Sequence, residues 1–103
     1  MDRKNLNIVA VTACPTGIAH TYMAAEQLEK TARQLGYQIK VETQGSMGIE
    51  NELSQADVDA ASVAILACDI AIEKMERFAR IRKIEVSAQE AIKNPRAVLA
   101  RAG

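Results

Sequence analysis

Aromatic residues are scarce in this 103-residue chain: there is no tryptophan, and Tyr22, Tyr37 and Phe78 make up the 3% that is aromatic. Three such residues are too few for the stacking platforms that hold single-stranded nucleic acid, or for an aromatic floor beneath a sugar. Net charge is also missing, because thirteen basic and thirteen acidic side chains cancel. No overall field then draws the chain to nucleic acid or to an anionic membrane surface, and no nucleic-acid partner is expected. The most apolar stretch, Ala60 to Ala67, falls far short of the roughly 20 residues of a membrane span. Met1-Asp2-Arg3-Lys4 opens no signal-peptide core, so the expected location is cytoplasmic. Two cysteines, Cys14 and Cys68, cannot build a disulfide framework, and with a single histidine they cannot assemble the usual zinc ligand sets; no metal site is expected. Neither G-x-G-x-x-G nor G-x-x-x-x-G-K occurs, nor a C-x-x-C pair, which excludes the common nucleotide and dithiol signatures and leaves no cofactor to expect.

What is present is the composition of a folded domain, 49% hydrophobic and 25% charged with five glycines and two prolines. The length fits a single domain over residues 1–103. Charge is unevenly spread: residues 1–40 carry +2, residues 41–73 carry −7 with no basic group, and residues 74–103 carry +5. Such runs are commonly solvated faces, and they also suit docking of charged partner proteins.

Asn7 to Ala13 is a β-branched apolar run that stops at Cys14-Pro15-Thr16-Gly17, the pattern of a buried parallel strand entering a turn. From Gly17 to Leu35 the residues Ile18, Tyr22, Ala25, Leu28, Ala32 and Leu35 recur at helical spacing, and Gly36 closes the helix. Tyr37 to Thr43 alternates as a second strand and ends in the glycine-containing loop Gln44-Gly45-Ser46-Met47-Gly48. Ser54 caps a short helix that leads to a third strand over Ser62 to Ala67. A helical segment at Glu73 to Phe78, a fourth strand at Lys83 to Val86 and a last helix opened by the capping box Ser87-Ala88-Gln89-Glu90 follow, with Pro95 bending or delaying that helix. Strands alternating with helices imply an open three-layer α/β sandwich, a four-stranded parallel sheet of order 2-1-3-4 with helices on both faces. Ligands of such sheets sit at the carboxyl ends of the strands, and the first loop is the usual place.

Cys14 lies in that loop. The helix start beside it holds anions through backbone amides and dipole, and favours the thiolate, the form that attacks phosphorus. Pro15 stiffens the loop, Gly17 permits close backbone approach, Thr16 and Thr21 offer hydroxyl donors, and His20 offers a donor or a positive charge; Ile18 and Ala19 complete the run. Thr16 and Thr21 also suit helix caps, and Cys68, at the end of the third strand, suits plain burial. Gln44, Gly45 and Ser46 leave the second strand at the same sheet edge, where they would flank the phosphoryl pocket or meet a partner, while Gly45 also suits a plain turn.

Two families place a cysteine in this kind of loop. Low-molecular-weight cysteine phosphatases read C-x5-R-[ST]; here His20 stands where the phosphate-gripping Arg belongs, Thr21 follows, and Pro95 is preceded by Asn94 rather than Asp. The run Val11-Thr12-Ala13-Cys14-Pro15-Thr16-Gly17-Ile18-Ala19-His20-Thr21-Tyr22-Met23-Ala24-Ala25-Glu26 resembles the signature of the fructose-type IIB component of the bacterial phosphoenolpyruvate-dependent sugar phosphotransferase system. Val41 to Ser46, Glu50 to Leu53 and Glu76-Arg77-Phe78 are similar as well. The resemblance implies that Cys14 takes a phosphoryl group from a phosphohistidine on a IIA partner and passes it to a sugar held by a membrane IIC partner. It also implies gripping by residues Pro15 to Thr21, no cofactor, and association with the inner face of the membrane through IIC. A separate subunit is expected from a chain of this length. The alternatives are a cysteine phosphatase and a binding module that never accepts a phosphoryl group.

Overall fold

The computed structural model describes residues 6–14, 18–45 and 48–102. Strand β1 (Asn7–Ala13) is buried from Ile8 to Ala13, as a central strand covered on both faces must be. Helix α1 (Ile18–Leu35) returns over the sheet and ends at Gly36, whose φ of +81° is the left-handed turn that glycine adopts without strain. The amides of Gly36 and Tyr37 donate to the carbonyls of Arg33 (3.1 Å) and Ala32 (2.9 Å), closing the helix in a Schellman motif. The chain continues through β2 (Gln38–Gly45), β3 (Gly48–Glu50), α2 (Gln55–Ala60) and β4 (Val63–Cys68). A 3₁₀ turn (Met75–Phe78), β5 (Lys83–Val86), α3 (Ala88–Lys93) and α4 (Pro95–Ala100) complete it.

The sheet has the order β3-β2-β1-β4-β5, and its β2-β1-β4-β5 portion is the expected parallel four-strand order. The fifth strand was not expected. β3 pairs antiparallel with the end of β2, Thr43 opposite Glu50 and Gln44 opposite Ile49, so part of the glycine loop is an edge hairpin. Gly48 there has φ +86°, a backbone state that L side chains rarely adopt.

Alternation along the strands divides the interior. Ile8, Ala10, Val41, Val63, Ile65 and Ile84 face α1, α3 and α4, whereas Val9, Val11, Ala64 and Leu66 face Leu53, Val58 of α2 and Phe78 of the 3₁₀ turn. Thr21, Ala24, Leu28 and Ala32 form the buried stripe of α1, small residues letting the helix approach the strands closely. Tyr22, placed on that stripe by its spacing, is instead 40% exposed, and its hydroxyl donates to the Glu50 carboxylate of β3. Ser54 caps α2 in a full capping box with Asp57. The expected bent last helix is two helices, because Asn94 leaves the helical region (φ −133°, ψ 56°) and Pro95 opens α4 at a position where its missing N–H costs nothing.

Candidate functional site

Cys14 follows β1 directly and precedes α1, so it sits at the carboxyl edge of the sheet where the first helix begins. The ladder holds this point from the β4 side: Ala13 pairs with Cys68, and the Asp69 amide donates to the Ala13 carbonyl at 3.0 Å. Alternation carries Cys14 to the α1 and α3 face, where it packs half-buried against the larger core. Its sulfur is not sealed in, because Cys14 lines a cleft of about 430 Å³ together with His20, Met23, Asp69, Ala88, Gln89, Ile92 and Lys93. One wall is the exposed face of the first α1 turns; the opposite wall is the face of α3 made by residues one turn apart.

Both walls are anchored. Ser87 Oγ accepts from the Glu90 amide (3.0 Å) to start α3, and the Asp69 carboxylate accepts from the Ala88 amide (3.2 Å). The end of β4 thereby fixes the start of α3 relative to Cys14. On the α1 side, Thr12 Oγ1 donates to the Thr21 carbonyl at 3.0 Å, pinning the first helical turn to the end of β1. Thr21, 1% exposed, and Thr43, opposite Thr12 in the β1–β2 register, have buried hydroxyls without hydrogen-bond partners among the described residues. Thr21 is therefore brought to the Cys14 end with an uncommitted hydroxyl, and its capping of α1 is not seen.

His20 shares the cleft with Cys14, and Ala19 is exposed on the same helix start. Pro15, Thr16, Gly17 and Ser46, and the side chain of Ile18, lie outside the described residues. Gln44 does not join the cleft. It projects to the opposite face of the sheet, where its Nε2 donates to Glu42 (2.7 Å) and to the Glu73 carbonyl (3.1 Å), and its Oε1 accepts from the Glu73 amide (2.8 Å). Gly45 is the last residue of β2, exposed and paired with Gly48.

Cys68 also faces away from Cys14, into the smaller core, and its Sγ donates to the Val11 carbonyl at 3.4 Å. Burial pushes its thiol up to about 12, and the nearby charges of Asp69, Glu42 and Glu85 add to the effect. It stays a thiol, as the plain-burial reading expects.

Glu42 and Arg77 organise this second face, and their spacing of 35 residues hides them in the sequence. Glu42 is fully buried and Arg77 is 8% exposed; Nη1 and Nη2 meet the two carboxylate oxygens at 2.7 and 3.0 Å. The Leu53 amide (2.8 Å) and Gln44 complete the acceptor's shell, while Arg77 also donates to the carbonyls of Leu53 (2.7 Å) and Lys74 (2.8 Å). Burial alone would raise the Glu42 carboxyl, but the hydrogen bonds from Arg77, Gln44 and Leu53 together with the Arg77 charge outweigh it, and the group lies below its ordinary value. This network ties the end of β2 to the segment that follows β4, the two stretches flanking Cys14 in the sheet.

The sequence also missed the far wall of the cleft, Asp69, Gln89, Ile92 and Lys93. The only available signal was topological: the helix after the last parallel strand must pass close to the first loop.

Comparison with known proteins gives a consistent result. The family model described as "PTS system, Lactose/Cellobiose specific IIB subunit" matches residues 9–101. The chain is 51% identical over 94 residues to the "PTS system fructose-like EIIB component 2" of Escherichia coli strain K12, covering 91% of this chain and 89% of that protein. It is 50% identical over 92 residues to the "PTS system fructose-specific EIIABC component" of Mycoplasma pneumoniae, covering 89% of this chain but 13% of that longer protein. Among solved structures, a domain of the fructose-specific IIABC component from Borrelia burgdorferi superposes with a TM-score of 0.90 at 48% identity, covering 95% of this chain and 93% of that one.

Proposed function

The chain belongs to the IIB family of sugar phosphotransferase systems, and on that footing we propose that Cys14 is its phosphocysteine carrier, loaded by a IIA phosphohistidine and discharged to a sugar held by a membrane IIC partner. The observation that carries this reading is the position of Cys14: half-buried, at the carboxyl end of the central strand, before an 18-residue helix and open to a cleft of about 430 Å³. A thiolate there attacks the phosphorus of the donor as the N–P bond breaks. It later leaves as a sugar hydroxyl forms the new O–P bond, since a thiolate is both a good nucleophile and a good leaving group. Catalysis is then positioning and charge neutralisation by the 15–21 loop amides, the hydroxyls of Thr16 and Thr21, and His20.

Relatives named EIIABC and EIIBC combine IIB with A and C parts in one chain, which supports IIA and IIC as partners here and supports a position at the inner face of the membrane during discharge. Their names support a fructose-like sugar as substrate. No helix among the described residues is long and apolar enough to cross a membrane; in this scheme the sugar is held by IIC. The test is sugar phosphorylation by membranes carrying IIC, supplied with the upstream phosphoryl donors and this chain. Fructose phosphate is expected with the unaltered chain and none with Cys14→Ser. Steady hydrolysis of an aryl phosphate by the chain alone would point to a phosphatase instead.

A further inference from the structure

The phosphoryl group brought to Cys14 carries close to two negative charges, yet residues 14–21 contain neither lysine nor arginine. His20 occupies the place where a phosphate-gripping arginine would stand. A strong cation can come from elsewhere in the fold, and the cleft is lined by one. Lys93, in the last turn of α3, lines the same cavity as Cys14 and His20 and is the only lysine or arginine among the described residues that do so. We propose that Lys93 is the counter-cation of the phosphocysteine, contributed by α3 rather than by the cysteine loop; the inference rests on the carrier function of Cys14.

Three features place the ammonium group for this task. First, Lys93 makes no hydrogen bond or ion pair with any described residue, whereas Lys40, Lys74 and Arg77 are each paired with a carboxylate. Second, α3 is positioned relative to Cys14 through the Asp69 carboxylate and the Ala88 amide, so the base of the lysine stem is fixed from the end of β4. Third, Met23, Ala88 and Ile92 give the cleft an apolar wall, beside which attraction between an ammonium and a phosphoryl group is stronger than in bulk water. Gln89, one turn earlier on the same face, offers an amide donor beside it. Asp69 is the one carboxylate lining the cleft among the described residues, and its Oδ1 is already engaged by the Ala88 amide. Among the described residues, His20, Asp69 and Lys93 are the titratable groups that line the cavity with Cys14.

The experiment compares the full chain with Lys93→Gln and Lys93→Arg after loading from the phosphorylated donor protein. Two quantities are read: the equilibrium constant for phosphoryl transfer, and the midpoint of the ³¹P chemical-shift titration of the phosphocysteine. Loss of the cation in Lys93→Gln should lower the transfer constant about tenfold and raise the titration midpoint by about one unit, because the dianion loses its partner. Lys93→Arg should restore both. A merely structural role for Lys93 would not move the ³¹P midpoint. Identical constants and midpoints in the unaltered chain and Lys93→Gln would overturn the role of Lys93 while leaving the carrier function standing. Failure of the unaltered chain to show any phosphocysteine signal would overturn both.

Discussion

Removing the Arg77 guanidinium should be among the most damaging single changes away from Cys14. Arg77→Met keeps much of the stem volume but strips Glu42 of its counter-ion and of two hydrogen bonds, at 2.7 and 3.0 Å. The carboxylate, 0% exposed, would retain only the Leu53 amide and the Gln44 side chain as donors. The carbonyls of Leu53 and Lys74 would lose a donor as well. Breaking one side of a buried, fully hydrogen-bonded pair costs about 3–5 kcal/mol, a large share of the roughly 5–15 kcal/mol by which a domain is stable. Urea unfolding should register the loss as a lower midpoint at unchanged slope. Replacing both partners, as in Glu42→Leu with Arg77→Met, should cost less than the sum of the two single changes, because no uncompensated charge is then left inside. The pH dependence has a definite sign. Glu42 has a lowered folded pKa, so its contribution is complete above its ordinary value of 4.5 and is lost as pH falls through the folded value. A loss below about 1 kcal/mol for Arg77→Met, the range of an exposed ion pair, would refute the reasoning.

Other consequences are equally direct. In a Cys14→Ser protein the remaining thiol, Cys68, held up to about 12, should resist alkylation at neutral pH until the chain is unfolded; rapid labelling of the native protein would contradict its burial. Thr43→Val should stabilise by about 1 kcal/mol, since the Thr43 hydroxyl is buried without a partner among the described residues, whereas Thr12→Val should destabilise by about 1 kcal/mol through loss of the bond to the Thr21 carbonyl. Equal signs in thermal or urea unfolding would count against this distinction. Ser54→Ala should cost about 1 kcal/mol by removing the cap of α2. Asp57, the reciprocal partner in that capping box, is held down to about 2, chiefly by Lys40. Its support of the fold is complete above its ordinary value of 3.8 and fades as pH falls toward 2, which an NMR titration of its carboxyl would follow.

The sheet was readable because its central strand Asn7–Ala13 is a short β-branched run buried on both faces, while Lys83–Val86 alternates exposed and buried residues; both are bounded as their composition predicts. The place of Cys14, after the central strand and before the first helix, was readable because the apolar run stops there and helical spacing follows. Four features were hidden. β3 spans three residues beside two glycines, and only pairing with Thr43 and Gln44 makes it a strand. Tyr22 fits the helical apolar spacing, but the helix turns its smaller neighbours Thr21 and Ala24 inward and leaves the ring to reach Glu50. Asp69, Gln89 and Lys93 lie so far from Cys14 in the chain that no local pattern joins them; packing of α3 on α1 does. Glu42 and Arg77 escaped for the same reason, as a charged pair reads like surface until the fold buries it.

The decisive measurement is peptide mapping by mass spectrometry after rapid quenching of the chain mixed with its phosphorylated donor, followed by a chase with sugar and IIC membranes. The phosphoryl group should be found on the Cys14 peptide alone and should disappear from it as sugar phosphate accumulates. Label on any other residue, or a Cys14 label that the chase does not discharge, would contradict the assignment of this sulfur as the carrier.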